Sequence, residues 1–143
     1  MTHPAPGSEA NSIAAVVGSM DSRFAEYRTS IRVQNSRVEI IQELANMVKE
    51  LFIIFRERHG VYPKRVLFYR DGVSEGQFGE VVLAEVMALK RMFRELCGDE
   101  IPAITFLSVN KRHHVRFFVT DPRDADRSGN VPTGTVVDRG QSH

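Results

Sequence analysis

Cysteine occurs once in the 143 residues, at Cys97. No internal disulfide can therefore form and no cysteine cluster can hold zinc, which suits a reducing compartment. No apolar run reaches the ~18 residues that mark a membrane span. The opening MTHPAPGSEANS lacks the charged-then-apolar order of a secretory leader. These absences make the cytoplasm the default location, with the nucleus as a second compartment, and give no membrane partner. An excess of one charge is also missing: 19 Lys and Arg stand against 18 Asp and Glu, for a net charge of +1. Contact with nucleic acid must then come from local clustering of basic residues and not from bulk charge. There is no GxxxxGK[ST] phosphate loop, no GxSxG nucleophile elbow and no Cys/His zinc spacing. DADRSG at 124–129 matches the first half of a calcium loop, but its twelfth position is Thr135 and no helices flank it, so calcium is excluded.

What remains is an ordinary soluble composition, 42% hydrophobic and 26% charged, long enough for one domain with a real core. Residues 12–20 (SIAAVVGSM) form an apolar run of strand length, and 27–33 (YRTSIRV) alternate with period two. The intervening MDSRFAE has room for a hairpin turn. The period changes over residues 37–59, where Val38, Ile41, Ala45, Val48, Phe52 and Phe55 share one helical face. Ser36 with Glu39 reads as a capping box and Gly60 as the stop. Residues 65–70 predict a strand. A second helix follows over 74–96, opened by a Ser74–Gln77 box, with rows marked by Leu83, Val86, Met87, the stem of Lys90, and Phe93 or Arg94. Residues 103–109 and 115–120 predict two more strands, the second antiparallel to its neighbour. From Asp121 onward the chain is rich in Asp, Gly, Pro and Ser, which predicts loop with one short strand at 135–138. The predicted core thus covers about residues 12–120, with 121–143 a loop-rich continuation. Helical crossovers between strands imply an α/β fold with a mixed, partly parallel sheet flanked by helices.

Three constellations could carry chemistry. Asp71 ends a predicted strand, and in open α/β sheets ligands gather at the carboxyl ends of strands. Asp71-Gly72 is equally a favourable turn. Glu39 is explained fully by its capping role, yet it lies near the same sheet edge. Two carboxylates meeting there could hold Mg²⁺, which prefers oxygen ligands. NKRHHVR at 110–116 is the one dense basic cluster. Its Lys111, Arg112 and Arg116 suit phosphate contacts, although such a run is usually a solvated turn. His113 and His114 are adjacent, so on a strand they would point to opposite faces and make a poor metal pair.

SIAAVVGSMD (12–21), RVQNSRVEIIQEL (32–44), FYRDGVSEGQF (68–78), ITFLSVNKRHHVRFF (104–118) and SGNVPTGTVVD (128–138) together resemble the Piwi domain of eukaryotic Argonaute proteins. The blocks follow the family's order and span almost the whole chain. The resemblance implies a ribonuclease H-like fold and a protein that uses a small guide RNA to find complementary target RNA. Slicing members cut the target with two Mg²⁺ ions, for which Mn²⁺ can substitute. By this likeness Asp71 is a metal-binding catalytic residue and Glu39 the catalytic glutamate that completes the set. Lys111, Arg112 and His114 match residues that approach the guide backbone. The first catalytic Asp of the family would precede MTHP, on a central strand, and the last ligand would follow His143. The chain then carries two of four catalytic positions, an incomplete fold, and no expected slicing activity of its own. The alternative is a non-slicing Piwi domain that only holds the guide–target duplex. Some members also bind Trp-rich partner proteins behind the helix of residues 37–59. Phe55 matches an aromatic there, but the companion position holds Val61, and the helical stripe favours Phe55 as core.

Overall fold

The computed structural model describes residues 1–5, 10–73, 75–109 and 114–138. They fall into two compact units, Met1–Lys111 and Arg112–His143. In the first, β1 (Ser12–Ser19) and β2 (Tyr27–Gln34) pair antiparallel, from Ser12 opposite Gln34 to Ser19 opposite Tyr27. The turn between them is built by Asp21, whose Oδ1 accepts from the backbone N–H groups of Ala25 and Glu26 at 2.9 Å each. Those bonds, the Glu26 one foremost, hold its carboxyl below the ordinary range. Alternation is clean on β1: Ser12, Ala14 and Val16 are buried while Ile13, Ala15 and Val17 are exposed. Thr2 adds an antiparallel bridge to Ile13.

The helix α1 runs over Leu44–His59 and buries Leu44, Met47, Val48, Leu51 and Phe52. Gly60 closes it in the left-handed region at φ 75°, its N–H bonded to Arg56 O, the conformation that favours glycine. The sequence predicted a start near residue 37. Instead residues 36–37 form a turn, with Arg37 left-handed at φ 64°, so the Ser36–Glu39 capping box does not exist. Val48 and Phe52 keep their predicted core places. Ala45 and Phe55 pack against the core half-buried, which supports the core reading of Phe55.

A parallel pair follows. β3 (Arg65–Asp71) and β4 (Ala103–Val109) run in register from Arg65 opposite Ala103 to Asp71 opposite Val109. The connection between them contains α2 (Phe78–Cys97), preceded by a 3₁₀ turn at Glu75–Gln77. Gln77 stands at the N-cap position of α2, and Ser74, the other half of the second expected capping box, lies outside the described residues. The buried row of α2 is Val81, Glu85, Leu89, Met92 and Phe93. Of the predicted rows only Phe93 is buried, while Leu83, Met87 and Lys90 face solvent. Apolar residues stand on several sides of this helix, so the 3.6 period alone does not choose the inward face. Phe93 packs on Phe52 of α1 with the rings tilted by 39° and their centroids 4.6 Å apart. The two helices thus pack on each other. Among the described residues the strands form two two-stranded sheets and not one joined mixed sheet. A groove lined by Val16–Met20 of the hairpin and by Lys64–Tyr69 lies between them.

In the second unit, residues 115–118 are exposed and 115–119 carry no strand, nor does 135–138. The alternation of VRFFVT gains no partner edge there, and an unpaired strand is not stable alone. Residues 121–138 carry no strand, and a 3₁₀ turn at Pro122–Asp124 is capped by the Asp121 side chain. The calcium-like stretch is a turn: Asp126 Oδ1 accepts from Ser128 N–H at 2.7 Å and Asn130 N–H at 2.9 Å.

Candidate functional site around Glu39 and Asp71

Asp71 is the last residue of β3, and its side chain is exposed at the strand's carboxyl end. Gly72 follows at φ 81°, a conformation costing an L-residue about 1–2 kcal/mol. The glycine thus turns the chain immediately after the carboxylate, so the turn and the end-of-strand position are one feature.

The side chain just before it organises the neighbourhood. Arg70 points inward on the same side as Val66 and Phe68 and is 3% exposed. Its Nε donates to Glu85 Oε1 and Oε2 at 3.1 and 2.9 Å. Its Nη1 donates to Asp71 O at 2.6 Å and its Nη2 to Glu39 O at 2.5 Å. One guanidinium therefore ties the main chain of residue 39 to that of residue 71. Glu85, 1% exposed in the middle of α2, also accepts from Ile41 N–H at 3.0 Å. A buried ion pair is tolerable only when its remaining hydrogen-bonding capacity is filled, and here backbone groups fill it.

Glu39 lies in the loop between β2 and α1, half-buried. Its Oε1 is 3.4 Å from His3 Nε2, and His3 Nδ1 is 2.8 Å from the buried Ser12 Oγ. Its Oε2 is buried with no hydrogen-bond partner. A carboxylate oxygen in that state favours a cation or a donor, which fits Mg²⁺ by donor chemistry. Glu39 and Asp71 form no larger ligand set: among the described residues no group of three or more His, Cys, Asp or Glu could hold a metal ion.

The basic cluster is only partly visible. Lys111, Arg112 and His113 lie outside the described residues, and His114 is exposed. The sequence reading missed His3, Gln34, Arg70 and Glu85. Two of them left a signal. An arginine stands on the inward alternation of β3, and a glutamate stands at i+4 between Val81 and Leu89 on α2. Opposite charges on two buried stripes point to each other. His3 and Gln34 left none.

Comparison with known proteins gives the family of the chain. The Piwi domain family model matches residues 1–143. Rice (Oryza sativa subsp. japonica) protein argonaute MEL1 is 45% identical over 160 residues, covering 100% of this chain and 15% of the relative. The structure of Kluyveromyces polysporus Argonaute with a guide RNA superposes with a TM-score of 0.75 at 29% identity, over 90% of this chain and 15% of that one. The C-terminal lobe of a budding yeast Argonaute gives 0.75 at 30% identity, over 85% and 25%. These neighbours fit the partial, ribonuclease H-like α/β fold expected from the sequence. The chain therefore spans about 15% of the length of its rice relative, and by a match over every one of its residues it belongs to the Piwi domain family of Argonaute proteins.

Proposed function

We propose that this chain is part of an RNA-guided silencing protein that binds a guide RNA and its complementary target and, in its complete form, cuts the target. The observation that carries this reading is the joining of the Glu39 and Asp71 main chains by one guanidinium, with a Glu39 carboxylate oxygen left buried and unpaired. Asp71 would hold a divalent cation, Mg²⁺ or Mn²⁺, with Glu39 completing the set. A metal pair of this kind supplies charge stabilisation at the attacking and leaving oxygens and lowers the pKa of a bound water. Of this chain's residues, Asp71 would supply an anionic oxygen at the strand end and Glu39 a second one from the loop, with His3 Nε2 3.4 Å from Glu39 Oε1. Lys111, Arg112 and His114 would approach guide phosphates, so they add affinity without reading base sequence. A Trp-rich protein partner at Phe55 is not supported, since that ring packs against the core. A cytoplasmic location, shared with the nucleus, goes with this reading.

The test is guide-directed cleavage of a complementary RNA in Mg²⁺. The 143-residue chain alone should bind RNA weakly and cut nothing, because two carboxylates cannot fix two metals. A full-length protein carrying this segment should cut, and its Asp71→Ala variant should retain guide binding while losing cleavage. Normal cutting by Asp71→Ala would end the reading. Tight duplex binding by a full-length protein that never cuts would favour the non-slicing holder instead.

A further inference from the structure

The loop that carries Glu39 does not support itself. Over residues 38–42, every residue has one backbone group held by a buried side chain from elsewhere. Gln34, the last residue of β2 and 7% exposed, uses its whole amide. Its Nε2 donates to Val38 O at 2.9 Å and to Ile40 O at 3.0 Å, and its Oε1 accepts from Gln42 N–H at 3.3 Å. Arg70 takes Glu39 O and Glu85 takes Ile41 N–H. In a helix each of these groups would bond to a backbone partner four residues away. Here the frame replaces those bonds, and Arg37 at φ 64° turns the chain into it. Buried polar side chains are costly unless their hydrogen bonds are filled, and here five of those bonds go to this one short loop.

We infer that Gln34 and Glu85 are positioning residues for the Glu39 carboxylate: they fix its loop beside the end of β3, Gln34 directly and Glu85 through Ile41 and Arg70. This rests on the function proposed above. A supporting shell of this kind typically changes metal affinity or activity 10–100-fold when it is cut, because a ligating group must be held to within about 0.5 Å. Gln34→Met keeps the volume and removes all three hydrogen bonds. Glu85→Gln keeps an acceptor for Ile41 N–H and removes the charge that anchors Arg70.

The experiment uses a full-length, guide-loaded protein carrying this segment. Three quantities are measured: guide retention, the Mg²⁺ concentration for half-maximal single-turnover cleavage, and hydrogen exchange of peptides spanning residues 38–42. Gln34→Met should retain the guide, raise the half-maximal Mg²⁺ at least tenfold, and speed exchange over 38–42. Glu85→Gln should do the same to a smaller degree, which covers the case in which Gln34→Met fails to fold. Excess Mg²⁺ should restore part of the rate, a rescue that a merely misfolded protein does not give. Faster exchange with an unchanged Mg²⁺ requirement would make both residues fold supports only and would overturn the inference. So would unchanged exchange. The failure of the parent reading looks different: there Asp71→Ala itself would cut normally.

Discussion

Replacing Glu85 by leucine tests how the buried pair holds the molecule together. Glu85 is 1% exposed and Arg70 3%, so solvent cannot take over for a lost partner. Removing one member of such a pair strands the other and costs about 3–5 kcal/mol. Ile41 N–H also loses its acceptor, worth about 1–3 kcal/mol if it stays buried. Against a total stability of about 5–15 kcal/mol for a small domain, the single variant should sit near the edge of unfolding. The double variant Arg70→Met/Glu85→Leu removes both charges and should recover most of the pair's cost, leaving about 1–3 kcal/mol for the unpaired backbone groups. Urea unfolding followed by circular dichroism, compared with the unaltered chain, measures both. If Glu85→Leu alone is too unstable to purify, Glu85→Gln gives the intermediate case, since it still accepts from Ile41. The reasoning is refuted if Glu85→Leu costs less than about 1 kcal/mol, or if the double variant is as unstable as the single.

The inward face of α2 can be checked by paired substitutions. Leu89→Ala, at a fully buried site, should cost about 2–5 kcal/mol, while Leu83→Ala on the exposed side should change stability by about 0.5 kcal/mol or less. Equal losses would mean the helix is rotated. Gly72→Ala should destabilise by about 1–2 kcal/mol through its positive φ alone, read as a shift in the urea midpoint. Acid should loosen the β1–β2 turn. The Asp21 carboxyl titrates below its ordinary 3.8, chiefly through the Glu26 backbone bond, so its contribution is fully present above that value and disappears as pH falls through the depressed folded one. Amide exchange at Ala25 and Glu26 should rise only in that acid range, and a midpoint near pH 6 would contradict the assignment. Lys111→Ala with Arg112→Ala should reduce the salt dependence of RNA binding by about one unit of log–log slope for each phosphate contact removed. An unchanged slope would return the cluster to a solvated turn.

Regular patterns were legible in the sequence, and irregular ones were not. The apolar run SIAAVVGSM and the alternation of YRTSIRV gave the two strands of the hairpin, although on β2 the apolar Tyr27, Ile31 and Val33 face solvent and Ser30 and Gln34 are buried. Gly60 gave the end of α1 through a conformation other residues avoid. The start of α1 was misread because a capping box is a local signal, and Gln34, Arg70 and Glu85 outbid it from positions the local window does not contain. The rotation of α2 was misread because its apolar residues are too many to define a single stripe. VRFFVT alternates well, but alternation supplies a face and not a neighbouring strand. At the site, the end of β3 placed Asp71 correctly. The proximity of Glu39 was anticipated only as a shared sheet edge: the buried stripes of β3 and α2 hinted at the Arg70–Glu85 pair, but not at its bonds to the backbone of residues 39 and 41.

The parallel register of β3 and β4 has a kinetic consequence. The hairpin of β1 and β2 can zip from its own turn, since Asp21 closes it within a few residues. Residues 65–71 cannot meet 103–109 until the whole of α2 lies between them as a compact spacer, and the ordering of so long a connection must come before any ladder bond rewards it. During synthesis the strand bearing Asp71 therefore waits, unsatisfied along its edges, until nearly forty further residues have emerged. That interval is when this chain is most open to aggregation.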